Sequence, residues 1–185
     1  MNSVGGEKFW TWSLEHYARD GVEPLLLNLQ EDFQADINIL LWLCWSAEDF
    51  ETAPDLVIRK AIEQTFGLNQ NVTQRLRSAR QFLKTWHGGA SSNDASILRA
   101  HIKDIELEAE KVEQALLESL ARESLSVLSP GDRHNAADRA LHNLMAYTAI
   151  TGISRKNGFS STLLKTLIGH IFSNTDGAVI RKKGT

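Results

Sequence analysis

The chain has 185 residues, 42% of them hydrophobic and 23% charged, with a formal net charge of -3. That balance excludes wholesale disorder and the strongly cationic character of a dedicated nucleic-acid coat or basic membrane-surface protein. The single cysteine, Cys44, excludes an intrachain disulfide framework and any multi-cysteine metal centre.

The punctuation falls at Gly21, Pro54, Gly67, Gly88-Gly89, Pro130-Gly131, Gly152 and Gly158. Between these marks no β-alternation is sustained and no hairpin signature separates apolar runs. The expectation is an all-α fold of about seven helices in a single domain, ordered over 7–174, with a loose basic tail over 175–185. The first helix covers about Glu7 to Arg19, with Trp10, Leu14 and Tyr17 at helical spacing and Gly21 placed to end it. A second starts at Glu23-Pro24 and breaks within Glu31 to Ala35. A third runs from Asp36 to about Glu48, apolar nearly all round, as the centre of a helical core. Its run from Ile37 to Trp45 is about half the ~20 residues of a membrane span. The amino terminus shows no cationic stretch leading into an apolar one, so the expected compartment is the cytoplasm, without membrane contact.

Pro54-Asp55 opens a fourth helix, expected to stop at Gly67, and Val72 to Trp86 forms a fifth. Asp94 to Arg122 is the longest signal. Leu98, Ile102, Ile105, Ala109, Val112, Leu116 and Leu120 step by three and four, close to a heptad seam. Lys103, Asp104, Glu106, Glu110, Lys111 and Glu113 fall on the opposite face, where charged decoration is expected to meet water. Ser129-Pro130-Gly131-Asp132 resembles a helix entry, and a last helix spans about Ser160 to Phe172.

Few residues announce chemistry. His134, Asp138 and His142 share a helix face and could hold a divalent metal, but no further ligand is nominated, and a solvated face explains them. No Glu precedes a His by three residues, so a di-iron carboxylate bundle is not indicated. Phosphate-loop, dinucleotide and nucleophile-elbow motifs are absent. Cys44, between Leu43 and Trp45, reads as a buried inert thiol. No catalytic residue and no cofactor is therefore assigned.

Two groups stand out instead. Gln30, Asp36 and Asn38 enter a nearly continuous apolar segment, where each must find partners. Asp36 is placed to cap the third helix. With Trp12 and Trp42, the three could line a small-molecule pocket among the first three helices. Arg77, Arg80 and Lys84 share one face of the fifth helix, a candidate contact for RNA or a nucleotide. Leu76, Ala79, Phe82 and Leu83 on the other side make it an ordinary amphipathic helix.

A family resemblance rests on the opening Phe9-Trp10-Thr11-Trp12-Ser13-Leu14-Glu15-His16-Tyr17 and on Leu29-Gln30-Glu31-Asp32-Phe33-Gln34-Ala35-Asp36-Ile37-Asn38-Ile39-Leu40-Leu41. Leu76-Arg77-Ser78-Ala79-Arg80-Gln81-Phe82-Leu83-Lys84 adds to it. These segments resemble a proteobacterial family catalogued as a domain of unknown function, number 2390 in that series. The resemblance implies a cytosolic, helical bacterial protein and carries no catalytic residue. The family's glycine before its Asp-Val-Asn element falls at Gln34 or Ala35, so a positive φ there must be met by another residue. The resulting expectation is a non-enzymatic interaction or regulatory module whose partner is another protein or a second copy. A small-molecule pocket and an RNA contact are the alternatives.

Overall fold

The computed structural model describes residues 7–86 and 92–173. The expected connection at Gly88-Gly89 and the tail from 175 onward lie outside the described residues. Within them the protein is all-α: α1 Glu7–Tyr17, α2 Val22–Phe33, α3 Ile37–Asp49, α4 Asp55–Leu68, α5 Gln74–Thr85, α6 Ser92–Ser124, α7 Ala136–Ile150 and α8 Ser161–Ile171. No strand occurs among the described residues. A lone antiparallel bridge between Phe50 and Val127 ties the end of α3 to the chain leaving α6.

The apolar signal of α3 is decisive. Every residue from Asn38 to Ala47 is buried. Helices α1, α2, α6 and α7 lie against it, so a helix without a polar stripe takes the one position that has no water-facing side. Asp36 caps α3 as its sequence position suggests. Its carboxylate accepts from the backbone N–H of Asn38 at 2.9 Å and of Ile39 at 3.3 Å. One hydrophobic cluster draws on α1, α2, α3, α4, α6, α7 and α8, whereas α5 contributes no buried residue.

The break between α2 and α3 is made by Gln34, in the left-handed region at φ 59°. Its N–H donates to the Gln30 carbonyl at 2.9 Å, and that of Ala35 to Leu29 at 3.1 Å. Of the two positions at which a glycine was expected, Gln34 is the one with positive φ, and here a side chain bears the strain, about 1–2 kcal/mol. Gln34 is exposed and its side chain loses little on removal. Gln34→Gly is therefore expected to raise stability by about 0.5–1 kcal/mol, after the added freedom of the unfolded glycine is discounted. A lower midpoint in urea for this variant would show that the turn carries no strain. At Gly21, φ 83°, an added Cβ would come within 2.6 Å of the His170 ring, so α1, α2 and α8 meet closely only through glycine.

Two expectations change. Gly67 does not end a helix: α4 passes through a π segment, Asn69–Thr73, directly into α5. Glycine permits a stop, but the backbone bonds here are met by continuing. The second correction concerns α6. Its apolar seam is not the buried side: Leu98, Ile105, Val112 and Leu116 are 42–53% exposed, and only Ala109 and Leu120 of that line are buried. Glu106, Glu113, Gln114, Leu117 and Glu118 face inward instead. The helix is turned by roughly a quarter of a turn from the orientation its apolar residues favour. The physical reason lies in the neighbours, which offer the carboxylates cations and amides.

Candidate functional site

Five helices, α1, α2, α3, α5 and α6, surround an open cleft of about 590 Å³. This is the size of a small-molecule site. The apolar line of α1 faces it: Trp10, Leu14 and Tyr17 stand one turn apart on its wall, while Phe9 and Trp12 turn to the core. Ile37 and Leu41 of α3, Leu27 of α2 and Leu107 of α6 extend the apolar surface. The polar lining comes from α5 and α6 on one side, with Arg77, Arg80, Lys84, Arg99 and Lys103, and from Glu23, Gln30 and Glu31 of α2.

The two residue groups singled out in the sequence are partly brought together here. Gln30 and Asn38 line the cleft, and so do Arg77, Arg80 and Lys84. Trp12, Asp36 and Trp42 are not among its lining residues. Trp12 is stacked on His16 at 3.8 Å and donates its indole N–H to Glu48 at 2.9 Å. Trp42 is wholly buried and its indole N–H meets no acceptor. Its ring is thus part of the core, away from any wall of the cleft.

Arg77 and Arg80 are committed to α6. Arg77 donates from Nε to Glu106 at 2.9 Å and from Nη2 to Glu110 at 2.7 Å, and Arg80 donates from Nη2 to Glu106 at 3.2 Å. Burial works to raise the carboxyl of Glu106, but the hydrogen bonds and charges of the two guanidinium groups hold it below its usual range. At Glu110 burial prevails over Arg77 and the carboxyl is pushed up. The Nη1 of Arg77 is buried without an acceptor.

Behind this wall runs a continuous polar network without a cation in it. Ser13 donates to Gln114 at 2.8 Å, Gln114 to Asn38 at 2.9 Å, and Asn38 to Glu113 at 2.9 Å. Asn69 donates to Glu113 at 3.3 Å and to Asp36 at 3.0 Å, and the Thr73 hydroxyl donates to Glu113. Asn69 and Thr73 both belong to the π segment, which brings the two onto one carboxylate. Sequence reading did not find Ser13, Asn69, Thr73 or Gln114. The available signal was the order of charges. Arg80, Arg77 and Thr73 recede from the α5–α6 connection about as fast as Glu106, Glu110 and Glu113 advance from it, so an antiparallel pair matches them.

Burial, followed by the nearby charge of Glu113, pushes the carboxyl of Asp36 up to about 7 from 3.8. An acid raised on folding binds more protons in the native state, so stability is fullest below pH 4 and declines as pH rises through 7. Asp36→Asn keeps an equivalent cap and cannot titrate. We expect the fall in unfolding free energy between pH 4.5 and 7.5, read by urea denaturation, to be shallower in this variant, by an amount on the order of a few kcal/mol at most. Parallel curves for the two proteins would show that Asp36 does not titrate in that range.

Elsewhere, His134, Asp138 and His142 are exposed, and His134 is occupied with the Gly131 carbonyl at 2.7 Å. No group of three His, Cys, Asp or Glu able to hold a metal occurs among the described residues. Cys44 is buried, and burial pushes its thiol up, away from reactivity. No helix among the described residues is long and apolar enough to cross a membrane.

The architecture is thus that of an all-α protein in which an amphipathic cleft is backed by a sealed carboxylate network. The chain belongs to the family described as protein of unknown function DUF2390, which it matches over residues 8–117. That span contains every residue that lines the cleft, whereas α7 and α8 follow it. No curated protein and no solved structure matches the chain.

Proposed function

We propose that this protein is a non-enzymatic, regulatory binding module whose working site is the cleft between α1, α2, α3, α5 and α6. The observation that carries this reading is the α1 wall. An amphipathic helix normally turns its apolar line to the core, yet Trp10 and Leu14 face an open cavity, and Leu14 is half exposed. Apolar surface held at a cleft by a rigid polar network behind it suits a ligand that covers it. Trp10 also serves as a reporter. In a screen of small metabolites of differing charge, a binder should quench or shift tryptophan emission in the wild type and lose that signal in Trp10→Phe. Leu41→Trp, which fills the cleft, should abolish binding. A screen that leaves both emission and melting temperature unmoved removes this reading.

The outward seam of α6 favours a second reading, that of an interaction module. Leu98, Ile105 and Val112 repeat every seven residues, and Leu116 continues the line. It is about 27 Å long at 1.5 Å per residue. Another amphipathic helix with the same repeat fits it, and a second copy of α6 supplies one. Sedimentation at tens of micromolar should then give a dimer that Ile105→Glu with Val112→Glu dissociates. A monomer at all concentrations excludes it. The RNA reading has less support, because the guanidinium groups of Arg77 and Arg80 are already neutralised by Glu106 and Glu110.

A further inference from the structure

The charges around the cleft are not evenly spread, and their distribution indicates what kind of molecule it takes. On the α5–α6 side, Arg77 and Arg80 are balanced by Glu106 and Glu110. Lys84, Arg99 and Lys103 remain on that side, none within ion-pair distance of a carboxylate among the described residues. The α2 side carries Glu23 and Glu31, and Glu23 already accepts from the Tyr17 hydroxyl at 3.4 Å. Between the two charged sides lies the apolar surface of Trp10, Leu14, Ile37 and Leu41.

Resting on the reading of the cleft as a ligand site, we infer that its ligand is an amphiphilic anion, with a carboxylate or phosphate head against Lys84, Arg99 and Lys103 and an alkyl or aryl body along Trp10, Leu14 and Leu41. Three cations without a carboxylate partner among the described residues, set beside a low-dielectric wall, attract an anion more strongly than the same cations in open water. The Arg80–Glu106 pair behind them holds the wall in place without competing for the head group. A neutral amphiphile would cover the apolar surface but leave the cations unanswered. A cationic one would be repelled from the α5–α6 side.

The test uses four ten-carbon probes below their micellar concentrations: decanoate, decyl phosphate, decanol and decylamine. Binding is read by calorimetry, with the stoichiometry, and by Trp10 emission. Decanoate or decyl phosphate is expected to bind one to one, at least tenfold more tightly than decanol, with decylamine weakest. The tighter of the two anions identifies the head group. Lys84→Glu with Lys103→Glu, two exposed positions, should leave the melting temperature unchanged and erase the preference for the anion. If decanol or decylamine binds as tightly as the anions, the anionic class is overturned while the cleft remains a ligand site. If the double variant keeps the preference, the assignment of the head group to these lysines is overturned. If none of the four binds one to one, the ligand-site reading falls with it.

Discussion

Replacing Glu113 with alanine is expected to destabilise the protein by about 3 kcal/mol, whereas Glu113→Gln should stay within about 1 kcal/mol of the wild type. The alanine variant leaves Asn38 Nδ2 and the Thr73 hydroxyl without their acceptor in a wholly buried place, while Asn69 Nδ2 keeps only its bond to Asp36. Each orphaned donor costs about 1–3 kcal/mol, partly offset because a buried charge disappears with it. Glutamine keeps an oxygen for the two asparagines, and the Thr73 hydroxyl can rotate to accept from its amide. It also removes the negative charge that helps raise the Asp36 carboxyl, so the wild-type decline in stability toward pH 7 should become shallower. Urea denaturation of both variants at pH 5 and 7.5 reads both effects. If glutamine is as damaging as alanine, the charge itself is required, and the network is more than a structural joint between α3, α6 and the π segment.

The second large effect is expected at Glu106. Its carboxylate is almost fully buried and receives both Arg77 and Arg80. Glu106→Ala leaves Arg80 without its carboxylate beside the cleft and Arg77 with Glu110 alone. Breaking a buried pair from one side typically costs 3–5 kcal/mol. Arg80 is about a quarter exposed, so water recovers part of that, and we expect about 2–4 kcal/mol. In a double-mutant cycle with Arg80→Met and Glu106→Leu, the coupling between the two sites should exceed 1 kcal/mol. Strict additivity would show that α5 and α6 are held by packing alone. The cycle also bears on the cleft: if the pair is what holds its cationic wall, the double variant should bind anionic probes more weakly even where it folds.

The inward turn of α6 ties these expectations together. Counting apolar residues along Asp94 to Arg122 places Leu98, Ile105, Val112 and Leu116 in a core and Glu113 in water. The fold does the reverse because α5, α3 and the π segment meet the carboxylates with two arginines, two asparagines and a threonine. A polar side chain that finds all its partners can be buried at little net cost, and an apolar one left outside loses only its share of burial. The exposed seam that results is what makes an interaction through α6 worth testing.

What the amino-acid sequence determined alone is local. Helical periodicity, glycine and proline positions and the cap at Asp36 specify an all-α chain, place α3 at its centre and mark a long α6, because these depend on neighbours a few residues away. The turn at Gln34 was legible as a question, since a missing glycine marks a backbone requirement without showing how it is met. The tertiary structure decided the rest. It chose the face of α6 that is buried, carried α4 past Gly67 into α5, and brought Asn38 and Gln30 to the same cleft as Lys84. The first two follow from hydrogen-bond and ionic partners far apart in the chain, and the third from the packing of α2, α3, α5 and α6 around one cleft. Periodicity records where apolar groups lie on a helix, and it holds no information on whether distant polar groups will arrive to satisfy the others.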